Sequence, residues 1–156
     1  MKQLLLLVVC AFAFFATGAS CKKSVAGSTA ENNITHPNPT GSNMKIIIGT
    51  RTFTATLYDN TTAAAFKTLL PFTIDMAELN GNEKYADLSR NLNTNASNPG
   101  TIREGDLMLY GSSTLVLFYK GFSTSYRYTK LGRIDDPTGL AAAVGAGNVS
   151  VTYQLQ

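Results

Sequence analysis

The chain has no tryptophan, one histidine and two cysteines, and these scarcities set the first limits on its chemistry. The histidine, His36, stands between Thr35 and Pro37 in a run of small and polar residues and reads as a solvated linker residue. Cys10 and Cys21 both precede residue 44, so residues 44–156 contain neither histidine nor cysteine. That segment can assemble no Ser-His-Asp or Cys-His site. It also lacks the imidazoles and thiolates that hold zinc, and its scattered Asp, Glu and Asn show no calcium-loop spacing. Neither a metal nor a cofactor is expected. Charge is scarce as well: only 15% of residues are charged. Residues 44–156 carry ten basic and nine acidic side chains, a balance that gives a nucleic-acid partner no support. The glycines at 139, 145 and 147 match no phosphate-cradling spacing.

The N-terminus carries Lys2, an unbroken apolar run over residues 4–16, then Thr17, Gly18, Ala19 and Ser20. That order is the n-region, h-region and small-residue exit of a signal peptide, here residues 1–20. The run is too short for a permanent span, which requires roughly 20 apolar residues in a helix. Two processing routes remain. Small residues before Cys21 suit ordinary signal peptidase and a secreted soluble product. Gly18-Ala19-Ser20-Cys21 also resembles the lipobox of bacterial lipoproteins, with Gly18 where an aliphatic residue is usual. Cys10 lies inside the apolar run and would be removed, so Cys21 has no disulfide partner in the mature chain. Acylation of Cys21 accounts for the lone exported cysteine, with a free thiol or an intermolecular disulfide as alternatives. Leu7-Val8-Val9-Cys10 reads as a lipobox too, but cleavage there would leave only a stub of apolar segment upstream.

Residues 21–43 form a tether of Ser, Ala, Thr, Asn, Pro and Gly with almost no large apolar side chain, too polar to fold alone. Residues 44–156 have the length of one ordinary domain, typically about 100 to 150 residues. Residues 44–48 and 52–58 read as a hairpin, the second run alternating Phe53, Ala55 and Leu57 with threonines. Asn60 offers an N-cap to a helix of about ten residues over 61–70, stopped by Pro71. Residues 72–79 read as a strand ending at Asn80-Gly81-Asn82, and 84–101 as an irregular stretch rich in Asn and Ser. Residues 106–110 and 114–119 form two strands joined by Gly111-Ser112-Ser113, the second nearly all apolar and so buried on two sides. Residues 127–134, broken by Gly132, and 149–155 complete the strands, with a short helical turn at 140–144. The pattern is mainly β, of α+β type, and points to a barrel or sandwich.

Asp135 and Asp136 are adjacent, but strand neighbours face opposite ways, and Asp136-Pro137-Thr138-Gly139 reads as a turn and helix start rather than a paired acid and base. Tyr119, Phe122, Tyr126 and Tyr128, interleaved with Lys120 and Arg127, either line a concave ligand site or fill a barrel and its rim.

A longer set of strings carries a family resemblance: Leu70-Pro71, Gly81-Asn82-Glu83-Lys84-Tyr85, Asn98-Pro99-Gly100, Gly105-Asp106-Leu107-Met108-Leu109-Tyr110, Leu115-Val116-Leu117-Phe118-Tyr119 and Leu131-Gly132-Arg133-Ile134. Together they resemble the bacterial cyclophilin-like domain family across residues 44–156. The resemblance implies a small closed β-barrel with one main helix and a short helical turn. It does not carry prolyl isomerase activity. True cyclophilins place an Arg, aromatics, a Gln, a Trp and a His along the substrate groove, whereas this segment has no Trp or His and its glutamines are Gln154 and Gln156. Glu83, Tyr85 and Gly105-Asp106 match the smaller group's pattern, while residues 120–125 depart from its Gly-x-Thr-Pro.

The leading expectation is a non-enzymatic module, tethered to the membrane of the cell envelope through Cys21, with a groove near Glu83, Tyr85, Tyr110, Phe122 and Arg127 for a peptide or small molecule. The alternatives are a weak prolyl isomerase offering Arg103 or Arg127 to the prolyl nitrogen, and a structural envelope protein.

Overall fold

The computed structural model describes residues 37–156; the export segment, Cys10, Cys21, His36 and most of the tether lie outside those residues. Asn43–Ile48 (β1) and Arg51–Leu57 (β2) form the expected hairpin, Ile46 facing Phe53 in the register. Period-two alternation sends Met44, Ile46 and Ile48, with Phe53, Ala55 and Leu57, to one buried face. The chain just before β1 is also bonded to β2, since Gly41 N–H donates to the Leu57 carbonyl at 2.8 Å and Leu57 N–H to that of Ser42 at 2.9 Å.

The helix Thr61–Lys67 (α1) begins where Asn60 Oδ1 accepts from Ala63 N–H. It is shorter than the periodicity suggests. Thr68, Leu69 and Leu70 donate to the carbonyls three residues back, a tightened last turn ahead of Pro71, which disfavours helical backbone at the preceding residue. Ala63 and Phe66 enter the barrel end, and the Phe66 ring meets Phe72 and Tyr153 edge-on at 5.9 and 6.2 Å.

Phe72–Leu79 (β3) matches expectation, and Asn80 and Gly81 both take positive φ in the turn that follows. The next element does not match. Residues 84–101 are not irregular throughout, because Glu83–Asp87 (β4) pairs with β3 on one side and Thr114–Phe118 (β7) on the other. Its inward position holds a lysine, Lys84, so the apolar alternation that marks a half-buried strand is missing.

Thr101–Ile102 (β5) and Phe122–Ser123 (β8) form a two-stranded ribbon that periodicity did not suggest. Asp106–Tyr110 (β6), Thr129–Ile134 (β9), Leu140–Val144 (α2) and Val149–Leu155 (β10) complete the fold. Tyr128 stands outside β9 and bridges to Ser97 instead. Gly132 does not break β9. The strand runs through it with a register shift opposite Leu107 and Met108.

Among the described residues, eight strands close an antiparallel barrel in the order β1-β10-β3-β4-β7-β6-β9-β2. Its interior holds Leu107, Leu109, Leu115, Leu117, Leu131 and Tyr153 among others. A second, smaller cluster lies on the outer side of β6 and β7, where Met108, Val116 and Phe118 pack with Ile102, Tyr128 and Phe122. Both faces of β7 are therefore covered, which explains its unbroken apolar run.

Candidate functional site

The outer face of β4, β7 and β6 does not close over completely. Tyr85 pairs across the ladder with Val116, Val116 with Met108, and Tyr110 with Thr114. Of these outward positions Tyr85, Val116, Tyr110 and Thr114 floor a groove of about 460 Å³, within the size range of small-ligand sites. One end is formed by the β3–β4 turn through Leu79, Asn80 and Asn82, with Glu83 beside it. The far wall is the segment from Phe122 to Tyr128, held over the sheet by the β5–β8 ribbon, by Thr124 N–H on the Gly100 carbonyl (2.9 Å) and by the Ser97–Tyr128 bridge.

A ladder of rings runs along that wall. Tyr126 meets Tyr110 edge-on at 6.2 Å, Tyr110 meets Tyr128 at 5.7 Å, Tyr128 meets Phe118 edge-on at 5.5 Å, and Phe118 meets Phe122 at 5.7 Å. Such tilted and edge-on pairs are favoured by ring quadrupoles and hold the aromatic surface in place. Of the five large hydrophobic side chains exposed among the described residues, Leu79, Tyr85, Tyr110 and Tyr126 all line this groove and only Leu155 lies elsewhere. Apolar exposure concentrated at one concave place is a mark of a binding surface rather than of ordinary surface composition.

Glu83 is the groove's one ionisable carboxyl and is only 8% exposed. Burial, and secondarily the charge of Glu78, pushes its pKa above the usual carboxylate range. Among the described residues no hydrogen bond from the protein offsets that burial, and the buried Oδ1 of its neighbour Asn82 has no partner. Burial, and then the charge of Glu83 and the nearby Tyr110 and Tyr126, pushes the Tyr128 phenol up to about 12, so it remains a neutral donor.

The opposite face of β4 is fully satisfied. Lys84 is completely buried, and its Nζ bonds the Glu78 carboxylate and the Gly145 and Gly147 carbonyls, the latter two at 2.9 and 2.6 Å. Tyr119 O–H donates to Glu78 at 2.8 Å. Burial acts to raise the Glu78 pKa, but the hydrogen bonds from Lys84, Tyr119 and Gly81, with the Lys84 charge, outweigh it and hold the carboxyl below its usual range.

The structure thus gathers Glu83, Tyr85, Tyr110 and Phe122 around one groove and leaves Arg127 out of it. The Arg127 guanidinium turns away and donates to the Ala96 carbonyl at 2.6 Å, bracing the wall from behind. Tyr119, grouped with the other aromatics by sequence, faces the Glu78–Lys84 network instead. Asn82, Thr114 and Val116 escaped sequence reasoning, although Thr114 and Val116 are alternate positions of one strand. Asp135 and Asp136 separate as expected, Asp135 accepting from the Thr56 hydroxyl at 2.8 Å and Asp136 from Thr138 N–H at 3.0 Å.

Residues 46–154 match the sequence model of the cyclophilin-like family. The chain belongs to that family. A solved structure of the same fold, the solution structure of a hypothetical protein from Archaeoglobus fulgidus, superposes with a TM-score of 0.52 at 17% identity, covering 78% of this chain and 99% of that one. At that identity the likeness speaks to fold alone. No curated protein matches the chain. Within this cyclophilin-like barrel the two arginines considered for isomerase chemistry stand outside the groove lining: Arg127 braces Ala96, and Arg103 lies in a separate hollow with Tyr58, Asp106 and Met108. Among the described residues no group of three or more His, Cys, Asp or Glu side chains is placed to hold a metal ion.

Proposed function

We propose that this cyclophilin-like domain is a non-enzymatic binding module whose groove on β4, β7 and β6 holds a peptide or small molecule. The observation that carries the reading is the concentration of exposed aromatic and apolar side chains in that one concavity, beside the buried Glu83. An isomerase reading has no arginine in the groove lining to offer the prolyl nitrogen. The module works in the cell envelope, held to a membrane by a lipid on Cys21; the apolar run, its small-residue exit and the lone cysteine at its end support that address.

Thermal unfolding of the protein in the presence of a library of short peptides and small molecules tests the binding role. A ligand at a hundred times its Kd stabilises by about 2.7 kcal/mol, which raises Tm by roughly 10 °C in a domain of this size. Tyr110→Ala and Tyr126→Ala should abolish the rise. Acceleration of cis–trans exchange in a proline peptide, lost in Arg103→Ala or Arg127→Ala, would instead establish the enzyme. For the address, the intact mass of the mature protein should begin at Cys21 and include acyl chains that Cys21→Ala lacks; an unmodified soluble species would contradict it.

A further inference from the structure

We propose, building on the reading of the groove as a binding site, that its ligand carries an organic cation, an ammonium or guanidinium, on an apolar body. The cation sits against the Glu83 carboxylate and Asn82 Oδ1, and the body lies on Val116 between the rings of Tyr110, Tyr128 and Phe122.

Three observations converge on a cation. The first is the pair of unused acceptors. Glu83 is nine-tenths buried and among the described residues no hydrogen bond from the protein steadies its charge, and Asn82 Oδ1 next to it is buried and unpartnered. Buried polar groups in folded proteins nearly always have partners, so an orphaned buried acceptor beside a carboxylate that no protein group bonds marks a place where a donor-rich group arrives from outside. The second is the sign of the site. Its lining contains one carboxyl and no lysine, arginine or histidine, and the lysine beside Glu83 in sequence, Lys84, is committed to Glu78 and two glycine carbonyls on the other face. The third is the ring ladder, whose π-faces attract positive charge and repel negative charge. An anionic ligand would meet the Glu83 charge and ring faces, with no cation in the lining to offset them.

Ammonium and guanidinium groups both occur in free amines and in lysine or arginine side chains, and the chemistry shared by these sources is a multi-donor cation joined to an apolar stem. Calorimetric titration of the protein with matched probes separates the cases. Phenethylamine, phenethyl alcohol and phenylacetate share a body and differ in head charge, while the peptides acetyl-Phe-Arg-amide and acetyl-Phe-citrulline-amide differ in one charge on a peptide. Phenethylamine should bind more tightly than the alcohol by about tenfold or more, the effect of one charge-assisted hydrogen bond, and phenylacetate should bind least. Glu83→Gln should erase that preference while the alcohol still binds. Tight binding of the arginine peptide over its citrulline twin would identify a peptide side chain as the source, and preference for the free amine alone would identify a small molecule. Equal binding of the three head groups, or a preference retained in Glu83→Gln, overturns the cation while leaving the groove a binding site. Failure of every probe, together with no thermal shift across the library, overturns both.

Discussion

Substitution of Lys84 by methionine tests whether the buried ammonium holds the barrel's end together. Methionine keeps most of the stem's apolar burial and removes the charge. In the native protein Nζ uses all three donors, on Glu78 and on the carbonyls of Gly145 and Gly147, and so ties the β3–β4 hairpin to the turn between α2 and β10. Breaking a buried ion pair by removing one partner costs about 3 to 5 kcal/mol. The expected loss lies below that range for two reasons. The Glu78 side chain is 21% exposed and keeps its bonds from Tyr119 and Gly81, and the two glycines are exposed residues whose carbonyls can turn to water. A destabilisation of roughly 2 to 3 kcal/mol follows, or a fall in Tm of about 10 °C for a domain of this length. Urea unfolding of Lys84→Met beside wild type measures it, and amide exchange should show the Gly145–Gly147 turn opening first. A double-mutant cycle with Glu78→Gln should give a coupling of about 1 kcal/mol or more. The pH dependence has a definite sign. The folded-state pKa of Glu78 is depressed, so its contribution is complete above the unfolded carboxylate pKa and is lost as pH falls through the folded value; Lys84→Met should flatten that acid limb. A change in stability below about 0.5 kcal/mol, or an unaltered acid limb, would mean that the ammonium does not hold this end of the barrel.

Three further outcomes follow from the same structure. Glu83→Gln should stabilise the unliganded protein by roughly 1 kcal/mol in chemical unfolding near neutral pH, because a buried charge without a donor is removed. Its folded pKa is raised by burial and by Glu78, with Tyr128 and Tyr110 the other titratable groups around it, so in wild type this destabilisation should shrink on acidification. Gly132→Ala would place a Cβ 2.8 Å from the Thr56 carbonyl oxygen and 3.1 Å from Leu57 Cδ2, forcing β9 away from β2; thermal unfolding should show a loss of about 2 kcal/mol. Asn60→Ala removes the side-chain cap on Ala63 N–H and should cost about 1 kcal/mol, read by the same assay.

Much of the barrel is legible in the residues because most strands alternate cleanly. Phe53, Ala55 and Leu57 against threonines, and the runs at 72–79 and 149–155, can bury only one face. The two-sided burial of β7 is legible from its unbroken apolar run, but β4 is not legible, because its inward residue is Lys84; its acceptors come from Glu78 and from glycines some sixty positions away, so no local pattern announces it. The two-residue ribbon of β5 and β8 is too short to have a period at all. The groove was legible to the extent that Glu83 and Tyr85 are two apart and share a face of β4, while Tyr110 and Phe122 follow from the resemblance and the aromatic clustering. Arg127 stands outside because Tyr126 and Tyr128 flank it and take the inward side, leaving the guanidinium to turn toward Ala96. Asn82 and Val116 become visible only when the strand order sets β4 beside β7.

The groove's role is tested most directly by following the aromatic and methyl resonances of the protein while phenethylamine is added. Saturable shifts are expected, confined to the groove residues Tyr85, Tyr110, Val116, Phe122, Tyr126 and Tyr128 and weakened in Glu83→Gln. Shifts scattered over the barrel, or none at saturating amine or any peptide probe, would contradict it.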